Sequence, residues 1–407
     1  MRPALAAVLL ALSSRAAASE RIDDSDFSRP ELSARSAAVL PREGRQDGDT
    51  LIFPLSASAA PSAAAPGVIT GRVMLADRDG TLKHARLAKV RLAGATGAWT
   101  PVDGDGGFIL AGARADTTNK ISVSLDNPRW AFRSDRGQAY AWEAGPFAGG
   151  SDSGVLSPTP GTENSKLGVL HLTYLDAIDF LAREATDDWW KKPLTLVWPG
   201  RADYFEPGAW TLHLTDASAW DVVLHELGHA VMDGAMDART SGGSHKIDEC
   251  YSAGLAWSEG WATFFAGAVR LSPDDPDAKF EFLVPRRAPI RLENVPADVC
   301  RGANNEWRVA AGLWDIYDRH HDEGDAVLLS FRTLWTGVTG GVTRSVGDAW
   351  TLTAKSLDPL ARRAGEDALI ANSLLSPRSS GLPVSVDASL RGMMLRDAAS
   401  LQSPRGR

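Results

Sequence analysis

The stretch Asp221–Val231, with the sequence DVVLHELGHAV, determines how the rest of the chain is interpreted. It contains the pattern H-E-x-x-H, with histidines at 225 and 229. Residues four apart on an α-helix lie one turn apart on the same face, so His225 and His229 can bind one ligand together. A shuffled chain with 8 histidines would contain about 0.006 copies of this pattern. The apolar flanks predict a buried helix over 217–232, with Asp216 as its N-cap.

Two imidazoles on one helix face are typical of a Zn²⁺ site. The intervening Glu226 lies about 100° around the helix from His225, at the rim of the same face. From there a carboxylate reaches a water bound to the metal more easily than the metal itself. We therefore expect His225 and His229 to bind zinc and Glu226 to act as a general base.

A zinc site that performs hydrolysis needs a third protein ligand and an open position. Glu259 is the only acid in the aromatic helix candidate WSEGWATFF, Trp257–Phe265. A buried lone carboxylate is costly unless it is paired or binds a metal, so we predict Glu259 as the third ligand. The metzincin extension is excluded, because Met232 and Ala235 occupy the positions where that class has Gly and His. Alternative third ligands lie in the polar stretch before the helix: His245, Asp248 and Glu249.

The first residues have the pattern of an export signal. Arg2 precedes the apolar run 4–12, and Ala16–Ala18 offers a small-residue cleavage site, so residues 1–18 are interpreted as a signal peptide and the protein as secreted or periplasmic. An isolated cysteine pair in an exported protein favours a disulfide between Cys250 and Cys300. Closing a loop of about 50 residues would stabilise the fold by roughly 3–4 kcal/mol.

The composition excludes two classes of protein. Hydrophobic residues make up 44% and charged residues 23% of the 407 residues, which is typical of globular domains. A net charge of −8 argues against a nucleic-acid partner, since phosphate binding needs a dense basic surface. No uncharged apolar run after residue 20 is long enough for a transmembrane span.

The chain divides by pattern into five parts. Short alternating strands separated by Gly/Asp turns predict an all-β sandwich over 67–146. Mixed, mostly helical patterns follow over 147–376, with strands at 194–198 and 211–215. The remaining parts are the signal peptide 1–18, a disordered linker or pro-segment 19–66, and a C-terminal tail 377–407. The other helices are expected at 167–183, 256–270, 304–321, 325–336 and 344–363.

The motif region resembles the gluzincin metallopeptidases, most closely those of the fungalysin type. The similar residues are H-E-L-G-H at 225–229, the Gly242-Gly243 and Cys250 insert, E-G-W-A from Glu259, and the later helix 306–315. The resemblance covers about residues 215–320. It implies zinc bound by His225, His229 and Glu259, with Glu226 as base, in an α+β fold with a zincin-like, mainly helical catalytic domain. The preceding β-segment is similar to the carboxypeptidase regulatory-like, transthyretin-type sandwich.

The chain departs from this family at two points. Many relatives carry an acid four residues after the ligand glutamate to orient a zinc-bound histidine, whereas this chain has Thr263. The residue that stabilises the transition state is not indicated by the motif. Tyr317, His320 and His321 are candidates, because Tyr and His side chains can donate a hydrogen bond to an oxyanion.

We therefore expect an exported zinc peptidase acting on peptides or proteins, with the strand at 211–215 pairing with the substrate backbone. Whether it acts as an endo- or exopeptidase stays open. Two alternatives also stay open: a cell-surface binding protein with a structural zinc, and a zinc hydrolase of a non-peptide amide.

Overall fold

The computed structural model describes residues 44–58, 63–116, 118–186, 189–190, 192–321 and 326–377. These residues form a mixed α+β structure, as predicted, with several sheets and seven α-helices within the described part. The predicted signal peptide 1–18, the first part of the predicted linker and nearly all of the predicted tail lie outside the described residues.

The strands are numbered in chain order. They are β1 (Arg45–Asp47), β2 (Thr50–Pro54), β3 (Ser56–Ser58), β4 (Val68–Ala76), β5 (Leu82–His84), β6 (Lys89–Leu92), β7 (Thr100–Pro101), β8 (Gly107–Ala111), β9 (Asn119–Ser124), β10 (Trp130–Arg133), β11 (Ala139–Phe147), β12 (Ser151–Ser157), β13 (Leu194–Val197), β14 (Tyr204–Glu206), β15 (Thr211–His213), β16 (Asp237–Ala238), β17 (Lys279–Phe280), β18 (Ile290–Arg291) and β19 (Val342–Thr343).

The helices follow mostly in the second half of the described chain. They are α1 (Lys166–Glu184), α2 (Trp220–Ala235), α3 (Ala253–Arg270), α4 (Glu306–Tyr317), α5 (Phe331–Thr339), α6 (Val346–Thr353) and α7 (Pro359–Ala371), with short 3₁₀ turns at Glu163–Ser165 and Ala354–Ser356. Among the described residues, no helix is both long and apolar enough to cross a bilayer.

The largest sheet crosses the predicted division at 146/147. Its ten strands include the path β14-β15-β13-β10-β11-β9-β6-β7. Strand β10, from the predicted sandwich, pairs in parallel with β13, from the predicted helical region, and Phe132 lies opposite Leu196. The first half of the chain is therefore joined to the second by continuous backbone hydrogen bonds. Sequence patterning missed this, since a parallel pair between distant segments leaves no local signal.

The predicted linker 19–66 also contributes strands to both sheets from Arg45 onward. Strand β2 pairs in parallel with β11, with Ile52 opposite Ala141. Strand β3 pairs with β12 in a second sheet of order β3-β12-β4-β5, in which β8 also pairs with β4. Alternation along β2 buries Leu51 and Phe53, which belong to the hydrophobic core. The composition of residues 19–66, rich in Ser, Ala, Arg, Asp and Pro, is typical of a linker, and an alternation of only five residues does not stand out within it.

Several helix boundaries differ from the predicted ones, and two of these differences illustrate the effect of local hydrogen bonding. Helix α2 begins at Trp220 rather than 217, since the Asp216 carboxylate accepts from the Ser218 amide at 2.8 Å and forms a turn instead of the predicted N-cap. The helix predicted over 344–363 is two helices. Asp358 caps α7 by accepting from the Leu360 amide at 2.8 Å, and Pro359 has no amide hydrogen with which to continue α6.

The predicted disulfide between Cys250 and Cys300 is present, with a Cα–Cα distance of 5.6 Å. It joins the segment 239–252, which has no helix or strand, to the segment that leads into α4.

His171 on α1 is buried in the core below the large sheet. Its Nδ1 accepts a hydrogen bond from the Trp130 indole at 3.3 Å, and its Nε2 lies 2.7 Å from the Arg86 carbonyl. Both contacts are satisfied by the neutral ring with its proton on Nε2. A second proton on Nδ1 would face the indole N–H, so two donors would meet. Desolvation lowers the pKa of His171 to about 4.

This pKa predicts a pH dependence of stability. Between about pH 6.5 and pH 4 the unfolded chain binds a proton at this ring that the folded chain does not, so the free energy of unfolding falls as the pH falls, by about 3 kcal/mol over that window. The measurement is chemical denaturation of wild type and His171→Asn at several pH values. We expect the free energy of unfolding to depend less steeply on pH in the variant, by an amount that corresponds to the uptake of about one proton on unfolding. Equal slopes for the two proteins would contradict the assignment.

Candidate metal centre

The centre is built by the close packing of α2 against α3. Gly228, inside H-E-L-G-H, lies directly over the backbone of Ala262. A Cβ atom at Gly228 would lie 2.8 Å from the Ala262 Cα and 3.1 Å from its carbonyl oxygen, closer than van der Waals contact allows. The glycine is thus required for the two helix backbones to approach, and this approach brings the histidines of α2 to the glutamate of α3.

Helix α4 packs against the other side of α3 in the same way. A Cβ at Gly260 would lie 2.5 Å from the Val309 Cβ and 2.9 Å from the Glu306 carbonyl oxygen. Gly228 and Gly260 each stand next to a proposed ligand. The three helices therefore meet at their small residues, and the polar side chains beside those residues point into a shared space.

The structure brings together the three predicted ligands. The His225 and His229 Nε2 atoms lie 3.1 Å apart, and the Glu259 Oε2 lies 3.3 Å from the first and 3.2 Å from the second. All three side chains are buried. Ligands of one tetrahedral Zn²⁺ at about 2.0–2.1 Å are separated by roughly 3.3–3.4 Å, so the three atoms fit three corners of a zinc site.

The outer ring nitrogens of both histidines contact hydroxyl groups of α3. The His225 Nδ1 lies 3.0 Å from the Thr263 Oγ1, and the His229 Nδ1 lies 3.4 Å from the Ser258 Oγ. Thr263 is the residue that replaces the acid expected from the family resemblance. It occupies the orienting position with a neutral hydroxyl, whose oxygen is placed to accept a hydrogen bond from Nδ1 and so to leave Nε2 for a metal without adding a buried charge.

Glu226 is fully buried beside the ligands. Burial, together with the nearby Glu226 carboxylate, raises the pKa of Tyr174 on α1. One turn earlier on α2, Asp221 accepts hydrogen bonds from the Phe282 amide at 2.7 Å and the Leu283 amide at 3.0 Å, which fixes the start of this helix.

The structure adds a pair of residues that the motif analysis did not connect. The His245 Nδ1 lies 2.7 Å from the Glu306 Oε2, and the His245 Nε2 lies 3.6 Å from the Glu259 Oε2. His245 is an alternative ligand of the sequence analysis, and Glu306 belongs to the family-like later helix. The two residues are 61 positions apart in the sequence, so no local pattern connects them. The predicted Cys250–Cys300 disulfide is the sequence feature that indicates that their segments lie close together.

Two of the alternative ligands lie in surface ion pairs. Asp248 accepts a bidentate pair of bonds from Arg286 at 2.9 and 2.7 Å, which lowers the pKa of its carboxyl. Glu249 is exposed and binds Lys246 at 2.7 Å. Both side chains are thus engaged at the protein surface.

The predicted transition-state residues lie at the end of α4. The Tyr317 ring contacts Phe264, Trp314 and Phe331, and burial raises its pKa to about 12. His320 lies in a separate potential metal-binding group with Glu293 and Asp318, and His321 follows it. The ring contacts of Tyr317 place it in an aromatic cluster, beyond the turn of α3 that carries Glu259.

The strand predicted to pair with substrate lies inside the sheet. Strand β15 is hydrogen-bonded to β13 on one side and to β14 on the other, so its backbone has no free edge. That expectation is wrong for residues 211–213. Within the described residues, β14 ends the path of the sheet, and it packs against α2.

Comparison with known proteins supports the same chemistry. Residues 182–337 match the family model of the Mycolysin C-terminal domain, which is found in zinc metallopeptidases of the fungalysin/thermolysin-like type. The match covers less than half of the chain, and it contains α2, α3 and α4, which carry His225, Glu226, His229, Glu259 and Glu306, together with His245. It points to a metallopeptidase of a secreted family. No curated protein matches the chain.

The helix packing leads to a prediction for Gly228. Gly228→Ala should push α2 and α3 apart, lower the free energy of unfolding by about 1–3 kcal/mol and weaken zinc affinity. The matched control is Gly347→Ala on α6, where the added Cβ would lie 3.6 Å from the Ser345 Oγ, an ordinary van der Waals distance. Thermal unfolding and competition with a chromophoric zinc chelator measure both effects. Equal zinc affinity in the two variants would show that the close approach does not position the ligands.

Proposed function

We propose that this protein is an exported zinc-dependent peptidase in which His225, His229 and Glu259 bind the metal and Glu226 is the general base. The observation that carries the proposal is the set of three ligand atoms, 3.1–3.3 Å apart, in the order and helix context of H-E-x-x-H. The family match over 182–337 supports the reaction class.

Each residue then has a defined task. When bound, Zn²⁺ supplies Lewis-acid activation of a water and of the scissile carbonyl. The hydroxyls of Thr263 and Ser258 keep the two imidazoles oriented through Nδ1. Glu226 removes a proton from the attacking water and delivers it to the leaving amine.

The substrate backbone has one suitable partner beside α2. Strand β14, Tyr204–Glu206, pairs with β15 on one side and is the terminal strand of the described sheet path. An extended peptide could add to this edge as a further strand, which would place its carbonyls in register along the metal helix. This assigns to β14 the role that the sequence analysis gave to the strand at 211–215.

One observation favours a second candidate function. The His245 Nε2, at 3.6 Å from the Glu259 Oε2, is a potential fourth protein donor, and all of these side chains are buried. Four protein ligands would close the site and make the zinc structural, as in a cell-surface binding protein. Spectra of the Co²⁺-substituted protein distinguish three protein ligands plus water from four protein ligands.

The assignment of the base predicts a separation of binding from hydrolysis. Glu226→Gln should retain one zinc per chain and lose about 10³-fold or more in kcat on a peptide library, because the amide cannot accept the proton. Glu259→Gln is the matched variant and should lose zinc as well as activity. If Glu226→Gln cleaves peptides at close to the wild-type rate, another residue is the base.

Metal removal predicts a loss of both activity and stability. A ligand that binds only the folded state stabilises it by about 2.7 kcal/mol at a free concentration 100 times its Kd. Dialysis against 1,10-phenanthroline should abolish peptide hydrolysis and lower Tm, and added Zn²⁺ should restore both. Unchanged activity in metal-free protein would contradict the proposal.

A further inference from the structure

We propose that His245 is a catalytic residue that donates a hydrogen bond from Nε2 to the substrate carbonyl oxygen as it gains negative charge, and that Glu306 is its positioning residue. This inference rests on the proposed peptidase function. It assigns the transition-state role to a pair of residues that neither the motif nor the aromatic cluster around Tyr317 supplies.

The first support is the geometry of the pair. The His245 Nδ1 lies 2.7 Å from the Glu306 Oε2, and its Nε2 lies 3.6 Å from the Glu259 Oε2, so the ring stands between the two carboxylates. His245 is 2% exposed and Glu306 is 4% exposed. A histidine held by a buried carboxylate on one nitrogen, with the other facing the metal ligands, is placed to contact an oxygen bound beside the metal.

The second support is the way in which the polar segment 239–252 is fixed. The Cys250–Cys300 disulfide joins it to the residues before α4. Asn305, the N-cap of α4, donates from its Nδ2 to the Ile247 carbonyl at 2.8 Å and to the Glu249 carbonyl at 2.9 Å. The residue after this cap is Glu306. The same short stretch thus fixes the backbone near His245 and carries the carboxylate that orients its ring, as a preorganised site requires.

The third support separates this role from that of a metal ligand. Two groups of potential metal-binding side chains, each with all ligand atoms within 4.8 Å of one another, share Glu259: one contains His225 and His229, and the other contains His245 and Glu306. His245 therefore approaches Glu259 together with Glu306 and is not a member of the group that the motif histidines form with Glu259. We take this separate position beside the metal ligands as the place of a hydrogen-bond donor to the substrate.

The fourth support is the position of Nε2. It lies 3.6 Å from the Glu259 Oε2, in a region almost without solvent exposure. A hydrogen-bond donor held at such a place stabilises the charge that develops on a carbonyl oxygen there without reorganisation, which is the usual origin of a large electrostatic contribution to catalysis.

The test compares His245→Gln with wild type in three measurements. We expect kcat to fall about 10²- to 10³-fold, KM to change little, and zinc affinity in chelator competition to stay at the wild-type value. Affinity for a phosphonamidate peptide, whose oxygens mimic the tetrahedral transition state, should fall by a fold similar to that of kcat. Glu249→Gln is the matched control in the same segment, because its side chain is exposed and pairs with Lys246.

Glu306 is tested through the same readouts with Glu306→Gln and Glu306→Asp. A positioning role predicts that both variants fold, keep zinc and lose kcat and phosphonamidate affinity, with the shorter carboxylate of Asp recovering part of the loss. Near-ultraviolet circular dichroism of the zinc-loaded proteins checks folding. If Glu306→Gln unfolds, the result with His245→Gln, which leaves the buried carboxylate in place, decides the proposal.

Each outcome has one meaning. Parallel loss of zinc and activity in His245→Gln would make His245 a ligand and overturn the proposal, and so would wild-type kcat in that variant. If wild type hydrolyses peptides and Glu226→Gln does not, the peptidase assignment stands whatever His245→Gln does. If zinc-loaded wild type cleaves no peptide, the peptidase function itself fails, and the role of His245 fails with it.

Discussion

The site depends on how closely the backbones of two helices approach. Three ligand atoms can share one metal only if they lie within about 3.4 Å of one another, and two of them come from α2 while the third comes from α3. Gly228 over Ala262 permits this approach, and Gly260 against Val309 adds α4 to the same assembly. Larger residues at either contact would separate the helices by more than the ligand geometry tolerates.

Burial of the ligands has a second effect on the choice of their neighbours. A carboxylate behind each imidazole would add negative charge to a region that already contains Glu226, Glu259 and Glu306. Here the hydroxyls of Thr263 and Ser258 contact the two outer nitrogens instead. A neutral partner orients the ring with less effect on the basicity of the ligand nitrogen. The centre therefore confines its charge to the residues proposed to bind the metal, the water and the substrate.

The predictive value of the sequence follows from the range of each interaction. The positions of His225 and His229 depend on helical spacing alone, and that of Glu259 depends on its apolar surroundings. All three could therefore be proposed as ligands from the sequence. The His245–Glu306 pair depends on a contact between a polar loop and a distant helix, which no periodicity encodes. The strand pairing of β10 with β13 is equally non-local. The errors at Asp216 and across 344–363 came from short polar side chains that bond to nearby amides and set helix ends within a few residues.

The parallel pairing of β10 with β13 also limits how the molecule can be divided. In a fragment that contains only the residues of the family match, the backbone N–H and C=O groups of β13 that face β10 would lose their partners, and His171 and Tyr174 on α1 would be missing. An exposed strand edge of this kind promotes aggregation. The N-terminal strands thus share one hydrogen-bonded sheet with the segment that precedes α2. Deleting them would expose the edge of β13, so the proposed metal centre should be studied in the chain that retains them.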